Sequence, residues 1–479
     1  MTSLDHGILT GSPRDVGTGG PAPFVVVLAD RATLSSYRRL RRAVFVAEQG
    51  LFAGGGESDD ADDDPRTLAL AAVATDGTVL GGVRVHPAPH AATASRDLGW
   101  WRGSRLVVAP AARRGPAVGP ALVRAACATV EGLGALRFDA HVQVRNEVFF
   151  RRLGWRTRGR LVAHGREHAV VDWPIDRVQR LVERTKAALG DLLAPLAEVP
   201  SGRGGAGFVG DDGAPVPGTD LVAACDAILP SMVERDPEWA GWCGVLVNLN
   251  DLAAMGARPV GLLDAVGARD VSFARRVLRG LAEASRAWGV PVLGGHTQLG
   301  VPAALSVTAL GRTARPTPGG GGRPGHRLRL TADLGGGWRP GYTGAQWDSS
   351  SHRTGEQLRA LGGVVETLAP RAAKDVSMAG IVGTAGMLAE ASGCRAVLDV
   401  AAVPVPDGVG AGDWLTCFPG FAMITAHPSG PSQPCGALPG FTTSRGCGDL
   451  TDGTGVGLRW PDGVVTEAIA SSVTGMGTA

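Results

Sequence analysis

Two adjacent carboxylates in a glycine-flanked turn, Gly210-Asp211-Asp212-Gly213, constrain this chain more than any other feature. Side by side, such charges repel unless a cation or a set of hydrogen bonds compensates them. Hard oxygen ligands on a loop suit Mg²⁺, which takes a few carboxylates and nucleotide phosphates rather than a complete protein cage. The fold must therefore bring further groups to this turn, and single acids dispersed along the sequence are the expected sources. Asp226 follows an apolar strand expected over 221–224. Asp251 lies in Val247-Asn248-Leu249-Asn250-Asp251-Leu252-Ala253-Ala254-Met255-Gly256-Ala257, which reads as a strand running into a helix.

At 479 residues the chain exceeds what one hydrophobic core organises. Residues 1–20, rich in Gly, Ser, Thr and Pro, read as a disordered tail. A strand is expected over 24–28, and a helix over 37–48 with Leu40, Val44 and Phe45 on one face. A hairpin of 68–73 and 79–85 straddles the Asp76-Gly77 turn. A strand over 105–109, a helix over 118–132, a strand over 136–142 and a short helix over 146–152 complete an α+β unit assigned to 21–173. Val178, Leu181, Val182, Leu189, Leu192 and Leu193 recur at helical spacing and predict one amphipathic connector over 174–200. A Gly and Pro cluster at 316–325 divides the remainder into subdomains 201–315 and 316–479.

Charge and cysteine usage exclude several classes. A net charge of +2, with arginines interleaved among acids, forms no nucleic-acid face. No run reaches the roughly 18 apolar residues of a membrane span, and no basic-flanked apolar core opens the chain. Seven cysteines at unrelated spacings, without a CxxC pair, fit reduced thiols, so a cytoplasmic protein acting on small molecules is expected. Of forty-seven basic residues only Lys186 and Lys374 are lysines. Lys374 stands directly before Asp375-Val376-Ser377, where a compact ammonium would bind phosphate as a point charge. Chance survival of a surface lysine explains it equally well.

Residues 113–123 begin Arg113-Arg114-Gly115-Pro116-Ala117-Val118-Gly119, follow a strand and open a helix, presenting unpaired backbone N–H groups to a pyrophosphate. The pattern resembles the acyl-CoA loop of the GNAT family of N-acetyltransferases, in the register Arg114 to Gly119. Ala117 stands where that loop's central glycine is usual, and Pro116 has no N–H to donate. Residues 37–50 look like the same family's first helix. Val142, Asn146, Phe149, Phe150, Leu153, Gly154 and Trp155 look like its last conserved segment. The resemblance implies acetyl-CoA or another acyl-CoA held by Val108, Arg114, Gly115, Ala117, Val118, Gly119 and Asn146. Acyl transfer to an amine also needs a base, for which Glu48, Asp139 and His141 are chemically suited. Glu48 and His141 are the catalytic candidates, and each is also explained as an ordinary paired or capping side chain. The acidic run Asp59, Asp60, Asp62, Asp63 and Asp64 is either a solvated loop or an attractor for a cationic amine.

The second half resembles the superfamily of aminoimidazole ribonucleotide (AIR) synthetase, thiamine-monophosphate kinase, selenophosphate synthetase and a hydrogenase maturation factor. The match runs from the Gly210 turn through Gly294-Gly295-His296-Thr297, Asp375-Val376-Ser377 and Ala391-Ser392-Gly393. It implies that Asp211, Asp212, Asp226 and Asp251 hold magnesium on ATP, that Asn248, Asn250 and Thr297 lie near the nucleotide, and that the chain forms a homodimer. Lys374 is the catalytic candidate of this half. The departures are His296 and Met378, where thiamine-monophosphate kinases carry Asp, and Cys417-Phe418-Pro419-Gly420, which lacks any carboxylate. No Cys–Lys pair stands in the glycine-rich entrance at 201–207. Trp338, Trp347 and Asp348 either line a second substrate's pocket or pack internally.

The expected architecture is thus a multidomain α+β and α/β chain: a GNAT fold, then a two-subdomain AIR synthase-like fold. The fusion resembles two-domain proteins found with nitrilase-type gene clusters. It implies a bifunctional small-metabolite enzyme with an acyl-CoA-dependent half and an ATP- and Mg²⁺-dependent half. The alternative is that one or both halves are non-catalytic CoA- or nucleotide-binding modules.

Overall fold

A computed structural model describes residues 24–52, 57–88, 96–114, 117–430 and 436–479. The expected tail at 1–20, Gly115 and Pro116 of the loop, and Cys435 lie outside the described residues. The chain divides into two compact units, Met1–Arg177 and Val178–Ala479.

The first unit is one seven-stranded sheet flanked by helices. Its strands are β1 (Phe24–Leu28), β2 (Leu68–Ala74), β3 (Val79–Pro87), β4 (Trp100–Val108), β5 (Arg137–Gln143), β6 (Arg156–Ala163) and β7 (Arg166–Trp173), in the order β1-β2-β3-β4-β5-β7-β6. Every pairing is antiparallel except β4 with β5. That parallel pair joins only Trp100–Gly103 to Arg137–Ala140, so the two strands part company beyond Gly103. Arg105, in the left-handed region at φ 55°, sits where they separate. Helix α1 (Arg31–Arg41) begins six residues before the expected start at 37, because the Asp30 carboxylate accepts from the Thr33 N–H and caps it. It continues as a π-helical turn, Arg42–Glu48. Helix α2 (Val118–Gly132) buries Val118, Leu122, Val123 and Val130 on the sheet, and α3 (Glu147–Arg152) adds Phe150.

The acidic run is no solvated loop. Asp62 pairs with Arg41 at 2.7 Å and Arg84 at 2.9 Å, and Asp59 pairs with Arg84 and Arg105. Arg41 and Arg84 are buried, so these carboxylates neutralise charge inside the protein. Asp60 and Asp63 face solvent as expected, Asp59 is exposed yet paired, and Asp64 is tied to Arg66.

The second unit opens with α4 (Arg177–Thr185), which buries Val178 and Val182. The connector does not continue as one helix: only short turns at Leu189–Leu192 and Ala194–Ala197 follow, since the Gly190 N–H bonds to Thr474 O and Pro195 interrupts the pattern. A five-stranded sheet, β8 (Ala214–Pro215), β9 (Leu221–Ile228), β10 (Arg258–Ala268), β11 (Val292–Leu299) and β12 (Ala304–Arg312), has the order β11-β10-β12-β9-β8. Two long helices, α5 (Pro237–Ala254) and α6 (Val271–Trp288), cover it. They cross closely because both carry glycine at the contact: a Cβ on Gly280 would lie 1.8 Å from Glu238 O, and one on Gly241 2.2 Å from Val277 O. The expected strand at 247 is therefore a helix. Val245, Leu246, Leu249, Leu252 and Ala253 recur at helical spacing, and the strand β10 starts only after Gly256 ends the helix at φ 64°.

A seven-stranded sheet follows, built from β13 (Arg327–Asp333), β14 (Ala372–Asp375), β15 (Arg395–Asp399), β16 (Ala422–His427), β17 (Thr442–Thr451), β18 (Val456–Arg459) and β19 (Val465–Ile469). Its order is β14-β16-β13-β17-β15-β18-β19, and α7 (Gly380–Ala391), buried along most of its length, packs beside it. Among the described residues no helix is long and apolar enough to cross a membrane, and the six cysteines described are free.

Candidate functional site

In the second unit the Gly210 turn, the last turn of α5 and the end of β14 converge. Oxygen atoms of Asp212, Asp251 and Asp375 lie within 4.8 Å of one another, close enough for one cation to bridge. Asp251 sits in the final turn of a helix, where the dipole opposes a negative charge. Burial first, then repulsion from Asp375, lifts its carboxyl well above the usual range. Asp375 is lifted likewise by burial, then by Asp212 and Asp226. Groups so arranged hold protons or a metal, and oxygen donors of this number and hardness fit Mg²⁺.

The four predicted ligands divide. Asp212 and Asp251 belong to the cluster. Asp226 lies inside β9 rather than after it, lines the same cavity and is raised by burial, an effect that Lys186 opposes. Asp211 turns away from the cluster: Oδ2 accepts from the Gly319 N–H at 2.7 Å, while Oδ1 stands 3.6 Å from Lys374 and has no hydrogen-bond partner. Asp375 takes its place in the cluster, a candidate ligand absent from the sequence expectation although Asp375-Val376-Ser377 already marked the strand end.

Lys374 is fully buried and its Nζ donates to Gly210 O at 2.9 Å and Asp212 Oδ1 at 3.2 Å. Burial works against its charge, but Asp212 and Asp211 outweigh it and its pKa is raised. The lysine therefore holds the turn in place. Asp212 Oδ2 also accepts from the Asp375 N–H at 2.8 Å, which ties turn and strand together. Asp211 is raised to about 6, by burial above all. The cavity is walled further by Lys186, Arg203, Ser377, Thr474 and Met476, and Glu390 holds the last of these segments by accepting from the N–H groups of Val473 and Thr474.

Three nucleotide candidates do not meet there. Asn248 is wholly buried in α5 and donates to its own helix at Gly244 O, 2.8 Å away. Asn250 donates to Gly420 O at 2.7 Å, bracing the Cys417 to Gly420 turn instead of facing a ligand. Thr297, with His296, stands on β11, all eight of whose residues are exposed. Trp347 packs edge-on against Trp338 and Trp414, and Asp348 caps the turn at Ser350 and Ser351, so this segment is internal packing.

In the first unit, the parting of β4 and β5 opens a groove lined by Val108, Ala117, Val118, Gly119, Asn146 and Glu48. Ala117 caps α2 without a side-chain hydrogen bond, so the N–H groups of Val118 and Gly119 have no side-chain cap, while Pro120 has no N–H to offer. Arg114 is exposed and not part of the lining, whereas its neighbour Arg113 is, making a bidentate pair with Glu48 at 2.7 and 2.8 Å. That pair, chiefly through its hydrogen bonds, holds the Glu48 carboxyl below its usual range, which weakens it as a candidate base. Asp139 is fully buried and spent on Trp100 Nε1, Arg102 and Arg137. His141 keeps exposed surface while enough protein surrounds its ring that burial, then Arg102, lowers its pKa to about 4. It lines a second, more apolar cavity that shares Leu106, Asn146 and Phe150 with the groove.

Residues 210–313 match the family model described as AIR synthase related protein, N-terminal domain. The uncharacterized protein sll0787 of Synechocystis sp. is 37% identical over 231 residues, covering 47% of this chain and 71% of that protein. A thiamine-monophosphate kinase of Caulobacter vibrioides is 32% identical over 263 residues, covering 50% and 68%. A selenide, water dikinase of Nitratidesulfovibrio vulgaris is 30% identical over 257 residues, covering 49% and 73%. The carboxylate turn lies at the start of the matched segment, and the chain belongs to the AIR synthase-related family.

Proposed function

We propose that the second unit is an ATP- and Mg²⁺-dependent enzyme that transfers or activates through a phosphoryl group. The observation that carries this reading is the convergence of Asp212, Asp251 and Asp375 beside the buried ammonium of Lys374. The first three would hold Mg²⁺, which when bound neutralises charge on a transferred phosphoryl. Lys374 fixes the Asp212 carboxylate, and Ser377 and the glycine-rich entrance border the space a phosphate would take. The names of the kinase and dikinase relatives support the same chemical class.

For the first unit we propose acyl-CoA-dependent N-acyltransfer. β4 beyond Gly103 lacks a β5 partner, leaving backbone groups for an amide-bearing ligand, and the uncapped N-terminus of α2 suits its pyrophosphate. His141, neutral at pH 7, is then the base candidate and Glu48 the loop anchor. A homodimer is also proposed, through the exposed surface of β10 and β11 where Leu263, Leu293 and Leu299 lie bare; a monomer by light scattering would count against it.

Calorimetric titration with a non-hydrolysable ATP analogue plus Mg²⁺, and separately with acetyl-CoA, tests both halves. Asp212→Ala should abolish only nucleotide binding and Gly119→Trp only acetyl-CoA binding. Binding without turnover of any acceptor would favour non-catalytic modules, and no binding at all would refute both readings.

A further inference from the structure

The chain carries two lysines among forty-seven basic residues, and both line the carboxylate cavity, where Arg203 is the third basic residue of the wall. Lys374 is already committed to Gly210, Asp211 and Asp212. Lys186 is different: it is half-buried, and among the described residues no hydrogen bond or ion pair engages its ammonium. Its charge nevertheless acts on Asp226, Asp251 and Asp375.

The backbone that carries Lys186 is pinned on both sides. Its own N–H bonds to Val182 O at 2.8 Å, extending α4 by one residue, and its carbonyl accepts from the Leu189 N–H. Before it, Val182 abuts Gly383 of α7 and the Gln179 side chain accepts from the Ala470 N–H at 3.1 Å. After it, the Gly190 N–H reaches Thr474 O at 2.7 Å. A long, flexible side chain on a fixed backbone thus projects a cation toward an acidic cavity without being consumed there.

We propose that Lys186 is a phosphate-binding residue of this site, whose ammonium engages the terminal phosphoryl group of a nucleoside triphosphate bound with its metal. The proposal rests on the phosphotransfer reading above. A triphosphate entering a cavity lined by five carboxylates adds further negative charge, and a cation in the same wall besides the metal offsets it. A lysine suits this place because its ammonium is a compact point charge with rotatable donors. An arginine fork there would pair bidentately with the carboxylates instead.

The test uses the full chain with Mg²⁺, titrated by calorimetry with a non-hydrolysable ATP analogue and with ADP. Lys186→Met is expected to weaken the triphosphate analogue by about tenfold or more, the loss of one charge-assisted hydrogen bond, and ADP by less than about threefold. Lys186→Arg should lose several-fold on the triphosphate as well, and unchanged melting temperatures show that both variants fold. Equal affinity of Lys186→Met and wild type for the triphosphate, or equal losses for both nucleotides, overturns the assignment to the terminal phosphate. Wild type that binds neither nucleotide refutes instead the phosphotransfer reading on which it stands.

Discussion

Lys374 Nζ stands 3.2 Å from Asp212 Oδ1, and the N–H of the next residue, Asp375, reaches the other oxygen of the same carboxylate at 2.8 Å. One strand end thereby clamps the Gly210 turn and delivers a third carboxylate to the candidate metal cluster in the same stroke. The arrangement predicts that Lys374→Met impairs nucleotide binding indirectly, by releasing the turn and leaving Asp211 and Asp212 without their counter-charge. A melting temperature several degrees lower, and a Mg²⁺ affinity reduced about tenfold or more, are the expected outcomes.

Asp375→Asn should cost more Mg²⁺ affinity than Asp211→Asn, reversing the order in which the sequence ranks them. Asp375 belongs to the three-carboxylate cluster, whereas Asp211 is engaged with Gly319 and Lys374. Mn²⁺ titration followed by electron paramagnetic resonance measures both, and equal losses would contradict the assignment.

Stability should carry a signature of Asp211. Its folded pKa of about 6 lies above the ordinary 3.8, so the folded state holds the proton more tightly. The resulting stabilisation is complete below about pH 4 and is lost as pH rises through about 6. Across that window the wild type should lose roughly 3 kcal/mol relative to Asp211→Asn, whose side chain does not titrate. Urea unfolding of both proteins at pH 4, 5, 6 and 7 reads the difference, and parallel curves would refute it.

In the first unit, Asp62→Ala should destabilise by about 3 kcal/mol or more, because it leaves buried Arg41 and Arg84 short of counter-charge. Asp60→Ala and Asp63→Ala, at exposed positions of the same run, should change stability by less than about 0.5 kcal/mol. Thermal unfolding of the three variants separates an internal ion network from a solvated acidic loop.

Acetyl-CoA binding should respond to Glu48→Ala through the loop rather than through proton transfer. With its bidentate partner gone, Arg113 no longer fixes the entry to α2. The expected effect is a weaker acetyl-CoA complex whose pH dependence is unchanged, while His141→Ala should alter the pH profile of turnover. A Glu48→Ala variant with normal affinity would remove Glu48 from the site.

Local features were legible in the sequence because they are encoded locally. The Asp76-Gly77 turn sets the β2–β3 hairpin, the apolar spacing of residues 118–132 sets α2 to its ends, and the Gly210 turn announces its two carboxylates. The scarcity of lysine marked Lys374 before any geometry was known. Where local signals competed, the reading failed: the apolar run around Leu249 resembles a buried strand as much as a buried helix, and only its packing against α6 and the sheet decides for the helix. What the tertiary structure alone decided is which charges meet. Asp212 and Asp375 are 163 residues apart in sequence and share a hydrogen bond, and Lys186 faces acids from β9, α5 and β14. Such convergence follows from strand order and helix crossing, which depend on burying apolar faces over the whole unit, and so the carboxylate that completes the cluster carries no periodicity of its own in the chain.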